Sequence, residues 1–333
     1  MDTKERIYWI DVAKGYGILL VILGHLNTNL IKYELYTFHI PLFFFLAGYV
    51  FHPEKYTFKE LLKKKLRTLI LPYFFMGSII TISMWISHGF LTLKDLMYCI
   101  LKLLIQNRFQ AIWFLTCLFF TEILSWILFI LCKGNKTYIL LVSTVTGIIG
   151  LLYYRLGGMT LFWNIDVCMT AIFFFSLGYF IRGLRENKKW MVFIRRKSTF
   201  IIAITLHFSC SVANHLLCQE RLDMFYCQYG FVPVMVVASL TGIYVVYRIS
   251  LSKNIRCISY LGRHSLIYFG LHNALSIPLL EIIYSQLDIF QNPVGIEFFL
   301  YLLVSISFVL FSMTLADFVF RNTRLRIFLG MRL

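Results

Sequence analysis

Apolar residues along this chain come in long unbroken runs of roughly 17–25 residues, each bounded by charge, and a run of that length crosses the hydrocarbon core of a bilayer as one helix. Ten such runs are legible: about 8–29, 35–52, 68–88, 111–132, 137–154, 162–182, 198–217, 228–249, 264–285 and 296–320. Only helices or closed barrels satisfy the backbone in lipid. The runs are continuous rather than alternating, which predicts helices. The second run is short and meets Pro41 near its start, so its end is expected to be irregular. Residues 91–106 alternate apolar and polar positions at helical spacing and read as an amphipathic helix lying in the interface rather than as an eleventh span. No internal repeat, linker or soluble segment is evident, so 1–333 is expected to form one all-α, polytopic membrane domain with no extracytoplasmic soluble domain.

Composition agrees. Hydrophobic residues make up 59% of the chain and charged residues 14%, with a mean hydropathy of +0.75; a soluble domain has roughly 45–50% and about 25%. A water-soluble enzyme, a disordered chain and a nucleic-acid-binding fold are excluded together. The net charge of +16 changes the picture only through its distribution. If the runs alternate in direction, 25 of the 32 Lys and Arg fall on the side of both termini and 6 on the other, with Lys14 inside the first run. That asymmetry predicts cytoplasmic N and C termini and a place in the cell membrane. The eight cysteines include no C-x-x-C pair. Most sit in apolar runs as packed thiols, while Cys218 and Cys227 share a short polar stretch where a disulfide is conceivable.

Charged and titratable side chains inside such runs are costly, and each is a functional candidate by default. They concentrate in the first two. At about 100° per residue, Asp11, Lys14 and His25 share one helical face. His25 follows Lys14 by eleven residues, roughly 16–17 Å along a helix. The cation lies toward the cytoplasm and the imidazole toward the outer face, a separation of the order of a phosphopantetheine arm. Gly17 and Gly24 allow close approach to this helix. His39 opens the second run at the same outer end as His25, so two imidazoles, the commonest general bases, can converge. The competing structural reading is an Asp11–Lys14 ion pair with a packed His25, and three such residues on one face weigh against it. A metal would require further ligands, and neither an H-E-x-x-H pattern nor a nearby cysteine supplies them. Arg67 and Lys65 end a basic stretch at the mouth of the third run, where a guanidinium can hold phosphate in a fork. Trp113, Glu122, Asp166 and His272 are polar or amphipathic positions further along that could face an acceptor.

Taken together, Ile10-Asp11-x-x-Lys14-Gly15 through Gly24-His25, Phe38-His39-Ile40-Pro41-Leu42-Phe43-Phe44-Phe45-Leu46-x-Gly48-Tyr49, and Arg67 with Leu71-Pro72-Tyr73 resemble the acyltransferase-3 family of integral membrane acyltransferases. The resemblance is closest to its branch of fucose 4-O-acetylase and related acetyltransferases. Softer echoes follow in order: Trp113-Phe114-Leu115, Phe173-Phe174-Phe175 with Gly178-Tyr179, and Tyr260-Leu261-Gly262 with Ser265-Leu266 and His272. The resemblance implies ten helices and transfer of an acyl group, usually acetyl, from cytosolic acetyl-CoA to a hydroxyl of a surface glycan or its lipid-linked precursor. Its basic-x10-His motif falls on Lys14 and His25; many members carry Arg at the first position, so the fork is replaced by a point charge. Acyl-CoA then enters as a donor substrate and no cofactor is permanently bound. Lys14, Arg67 and Lys65 would hold its phosphates, Asp11 would orient Lys14, and His25 would act as general base with His39 assisting. An acyl-histidine intermediate stays open. Transfer would be direct, without the esterase-like domain that some members carry. The competing class is a transporter or exporter of a polysaccharide intermediate, with the buried Lys, Asp and His serving proton coupling; the absence of a repeat speaks against it.

Overall fold

The computed structural model describes residues 7–331 apart from 27, 29, 88–91, 107, 220 and 253–254. In chain order the helices are α1 (Tyr8–His25), α2 (Leu30–Leu35), α3 (His39–Tyr49), α4 (Phe58–Lys65), α5 (Leu71–Ser87), α6 (Leu93–Ile105), α7 (Trp113–Leu131) and α8 (Lys136–Arg155). There follow α9 (Ile165–Gly183), α10 (Lys188–Arg195), α11 (Lys197–Cys218), α12 (Val232–Ser252), α13 (Arg256–Arg263), α14 (Ser265–Leu271), α15 (Ile277–Leu287) and α16 (Ile296–Asn322). Among the described residues the only β pairing is one isolated bridge between Asp223 and Gln228. The chain is an all-α polytopic membrane protein.

Among the described residues, eight stretches of helix are long and apolar enough to cross a membrane, and they coincide with the third to tenth predicted runs. The first two runs are realised differently. Helix α1 ends at His25, and α3 has only 11 residues, about 16 Å and so roughly half of a hydrocarbon core. Every residue of α3 except Ala47 is buried. A short helix of this kind is tolerated because protein rather than lipid surrounds it. The two helices that carry the polar residues thus pack against each other and against α9, α12 and α13. By contrast, α8, α11 and α16 each bury only 22% of their most apolar window and present the rest outward.

Two crossings fix α1 and α3 in place, and both are made by glycines. A Cβ on Gly262 would lie 1.7 Å from the Asp11 carbonyl oxygen, and one on Gly15 would lie 2.0 Å from that of Ile258. Helices α1 and α13 therefore meet backbone to backbone beside Asp11 and Lys14. Gly48 and Gly178 do the same for α3 and α9, with carbonyls of Phe175 and Phe45 at 1.8 and 2.0 Å from the absent Cβ atoms. Small residues at membrane helix crossings permit this approach.

The basic stretch expected as a loop over 53–68 is largely helical. Thr57 and Glu60 form a capping box that starts α4, and α4 runs through a π-type turn at Leu66–Ile70 into α5 without a break. Apolar Leu61 is buried while Lys59, Lys63 and Lys64 face out and only Lys65 turns inward, which is why a charged segment could be helical at this surface. The predicted interfacial helix is α6, whose Leu93, Met97, Tyr98, Leu101 and Leu104 are exposed; residue 91 at its expected start lies outside the described ones. Cys218 and Cys227 are both free thiols, so the conceivable disulfide is absent. Cys227 instead sits 3.1 Å from the Arg108 guanidinium.

Candidate active site

His25 is the last residue of α1, and the chain turns extended at Leu26. His39 is the first residue of α3. His272 opens a second π-type turn, His272–Ser276, where α14 passes into α15; such turns are frequent at functional sites. These three imidazoles come from three separate elements, and His25 and His272 meet. Nε2 of His272 lies 2.8 Å from Nδ1 of His25.

The protons in this pair follow from partner chemistry. Nδ1 of His272 lies 2.6 Å from the Tyr268 carbonyl oxygen and 3.1 Å from that of Phe269. A carbonyl only accepts, so Nδ1 of His272 carries the proton and its Nε2, in the neutral ring, carries the lone pair. That lone pair accepts from Nδ1–H of His25. The remaining nitrogen of His25, Nε2, is left as a base. His39 obeys the same logic: its Nδ1–H donates to the Leu35 carbonyl at 2.6 Å, which leaves Nε2 as its available nitrogen. In both supporting cases the acceptor is the carbonyl four residues earlier, so the chain itself sets the tautomer.

His25 and His39 line one cavity of about 260 Å3 at the end of the bundle away from the basic segments. Trp113, Phe225, Tyr226 and Phe269 give it aromatic walls, and Gln110, Asn273, Tyr36, Lys32, Arg221 and Asp223 give it polar ones. Gly24 makes room for the Tyr36 ring beside His25, where a Cβ would lie 2.9 Å from it. Gly17 does the same for Phe43. Aromatic faces with a few convergent polar groups suit a small polar ligand.

The other predicted residues are distributed as follows. Trp113 lines the cavity. His272 is fully buried behind His25 and touches it rather than the open space. Asp166 is paired with Arg108, which also reaches Asn164 and Cys227. This group stands behind the cavity and ties the loop before α12 to α9. Glu122 lies at the opposite, basic end, paired with Lys65 in a half-buried contact. The Arg67 guanidinium donates to the Met331 carbonyl and so holds the C-terminal turn against α5. Asp11 is buried and Lys14 half-buried at the α1–α13 crossing. The cavity residues that sequence reading missed are Lys32, Tyr36, Gln110, Arg221, Asp223 and Tyr226. All but Tyr36, which stands at the very start of the second run, lie in short connections between runs, where no periodicity marks a residue's direction.

A sequence model of an acyltransferase domain matches residues 7–317, from the residue before α1 into α16. No curated protein matches the chain, and no solved structure does.

Proposed function

Because the chain belongs to the acyltransferase-3 family, and so is a membrane acyltransferase, we propose that it moves an acyl group, acetyl before others, from cytosolic acyl-CoA to a hydroxyl of a cell-surface glycan or its lipid-linked precursor. The observation that carries this reading is the His25–His272 contact, which leaves Nε2 of His25 unprotonated at the wall of a polar, aromatic cavity. In the proposed reaction that nitrogen takes the proton of the acceptor hydroxyl as its oxygen attacks the thioester carbonyl. The carbon–sulfur bond then breaks, and the proton passes from His25 to the departing thiolate. His39 presents its Nε2 to the same cavity and assists the acceptor or the developing oxyanion.

Acyl-CoA reaches His25 from the end of α1 where Lys14 stands, its phosphates at that basic end and its arm along the roughly 16 Å between the two residues. Asp11 positions Lys14. Arg67 retains donors beyond the one given to Met331, whereas Lys65 would first have to leave Glu122. The membrane in question is the cell membrane, with both termini in the cytoplasm.

The test is expression of wild type or His25→Ala in cells, with both proteins at equal levels in the membrane, followed by NMR of purified surface polysaccharide. O-acyl signals should be present with wild type and fall by about 10²–10⁴-fold in transfer rate for the variant, the usual worth of a general base. Undiminished acylation by His25→Ala overturns the assignment.

A further inference from the structure

The mouth of the His25 cavity carries two cations, Lys32 from α2 and Arg221 from the loop before α12. We propose that these two side chains form an anion subsite, which receives a carboxylate or phosphate carried by the same acceptor unit whose hydroxyl faces His25. This rests on the acyl-transfer reading above and adds a requirement to it, namely an acidic acceptor.

Among the described residues the acids do not balance these cations. Asp223 is the only carboxylate among the described residues that line the cavity. Its Oδ2 accepts from Arg221 at 2.7 Å, and its Oδ1 accepts from the Phe225 backbone at 2.9 Å. Both oxygens are thus occupied in building their own turn. Lys32 makes no salt bridge among the described residues, and the carboxylate that bears on it, Glu281, belongs to a neighbouring cavity. Burial first, and the Arg221 charge second, push the Lys32 ammonium below the ordinary lysine range, with Glu281 opposing. Two like charges that line one half-buried cavity and repel each other are relieved by an anion placed between them.

The Arg221 guanidinium is also held in a fixed plane. It stacks over the Tyr36 ring at 4.0 Å to the centroid. Only one of its donors meets Asp223, and Nε is buried without an acceptor. A planar cation fixed by stacking and short of acceptors is suited to a carboxylate or phosphate. Because His25 and His39 line the same small cavity, the anion and the reacting hydroxyl must sit on one residue of the acceptor or on adjacent ones. Phosphates of the donor are not candidates, since the Lys14 end of α1 lies at the other end of the bundle.

The test uses full-length His25→Ala protein in phosphatidylcholine nanodiscs, so that binding is read without turnover. The probes are methyl β-glucuronoside, glucose 1-phosphate and methyl β-glucoside. At least one charged probe should bind at least about tenfold tighter than the neutral one, which of them names the anion, and Lys32→Gln should bring them to within about twofold. Arg221→Gln should do the same, but it leaves Asp223 buried without its partner; Lys32→Gln breaks no described pairing and is the decisive variant. Equal binding of charged and neutral probes, no binding of either charged probe, or a preference that survives Lys32→Gln overturns the proposal. Phosphatidylglycerol discs that shield Lys32 from an amine reagent while the charged probes fail to bind would assign the subsite to a lipid headgroup and overturn it likewise. Acetyl-CoA transfer by the wild-type protein is read separately. Its absence sinks the acyl-transfer reading whichever way the binding falls.

Discussion

The two ends of α1 are built on opposite principles. At Asp11–Gly15 the face of the helix toward α13 has no free space: Gly15 and Gly262 bring the backbones of α1 and α13 into direct contact. At His25 it opens onto a cavity of about 260 Å3, and the side chain is braced by a hydrogen bond to a second imidazole and by another to the Val21 backbone. The first end sets where the helix sits. The second uses that fixed position to aim a nitrogen. A catalytic group must hold its geometry to within a fraction of an ångström, and an anchored backbone supplies this at a distance. Rigidity at one end and polarity at the other are therefore parts of one device, and substitutions at the two ends should fail in different ways.

The largest effect is expected at the packed end. A methyl group on Gly262 would overlap the Asp11 carbonyl oxygen at 1.7 Å, and because that atom is backbone no rotamer can relieve it. Gly262→Ala should cost at or beyond the upper end of the about 1–3 kcal/mol typical of overpacking. Thermal unfolding of the detergent-solubilised protein should shift down strongly or the protein should fail to accumulate. Gly295, with nothing within 4 Å of its Cβ position, gives the contrast, although its positive φ adds a local strain of its own. An unchanged melting profile for Gly262→Ala would mean that α1 and α13 are not so closely joined.

At the cavity end the expected failure is chemical. His272→Phe keeps much of the ring volume but removes the imidazole acceptor for His25 Nδ1–H, so the His25 ring keeps only its Val21 backbone contact and is held less firmly in tautomer and orientation. Transfer should drop by about 10–100-fold, the scale on which outer partners of an active histidine act in metal sites. His272→Gln returns a side-chain acceptor and should recover part of the loss. The discriminating measurement is kcat and KM for acyl-CoA determined separately, since a positioning role lowers kcat and leaves KM near its wild-type value. Equal impairment by Phe and Gln, with KM raised alongside, would point to a packing role instead.

The sequence made the two ends unequally legible. The eight ordinary spans were visible as apolar runs because lipid imposes length and composition on them. Asp11, Lys14, His25 and His39 stood out for the converse reason, as polar residues where lipid forbids them. The short extent of α3 was hidden because a half-length helix sheathed by protein looks like a full span with an irregular end. His272 was visible as a polar residue in a span, but its partner was not: nothing in the sequence brings residues 25 and 272 together. Arg221, Asp223 and Tyr226 escaped altogether because loop residues carry no periodic signal, and it is the tether of Cys227 and Arg108 to Asp166 that folds this loop over the cavity.

The smallest effect tests whether the basic end contributes to the reaction through Glu122. Its carboxylate, mid-helix in α7 and reachable by sequence argument as an acceptor contact, is paired with Lys65 and lies among Tyr56, Lys64 and His52 rather than near His25. If the pair is structural, Lys65→Met alone should destabilise the protein, because it strands a 7% exposed carboxylate without its partner. Breaking one side of a buried pair costs about 3–5 kcal/mol in fully buried cases, and this contact is only partly buried, so a smaller loss is expected. The double variant Lys65→Met with Glu122→Gln removes both charges and should regain most of the lost melting temperature. Its transfer rate at saturating acyl-CoA should then lie within about threefold of wild type, since neither group reaches the His25 cavity. A rise in KM for acyl-CoA that persists in the stable double variant would return Lys65 to the donor site. A fall in kcat at normal stability would show that the packed end of the molecule takes part in the chemistry, and the division between the two ends of α1 would fail.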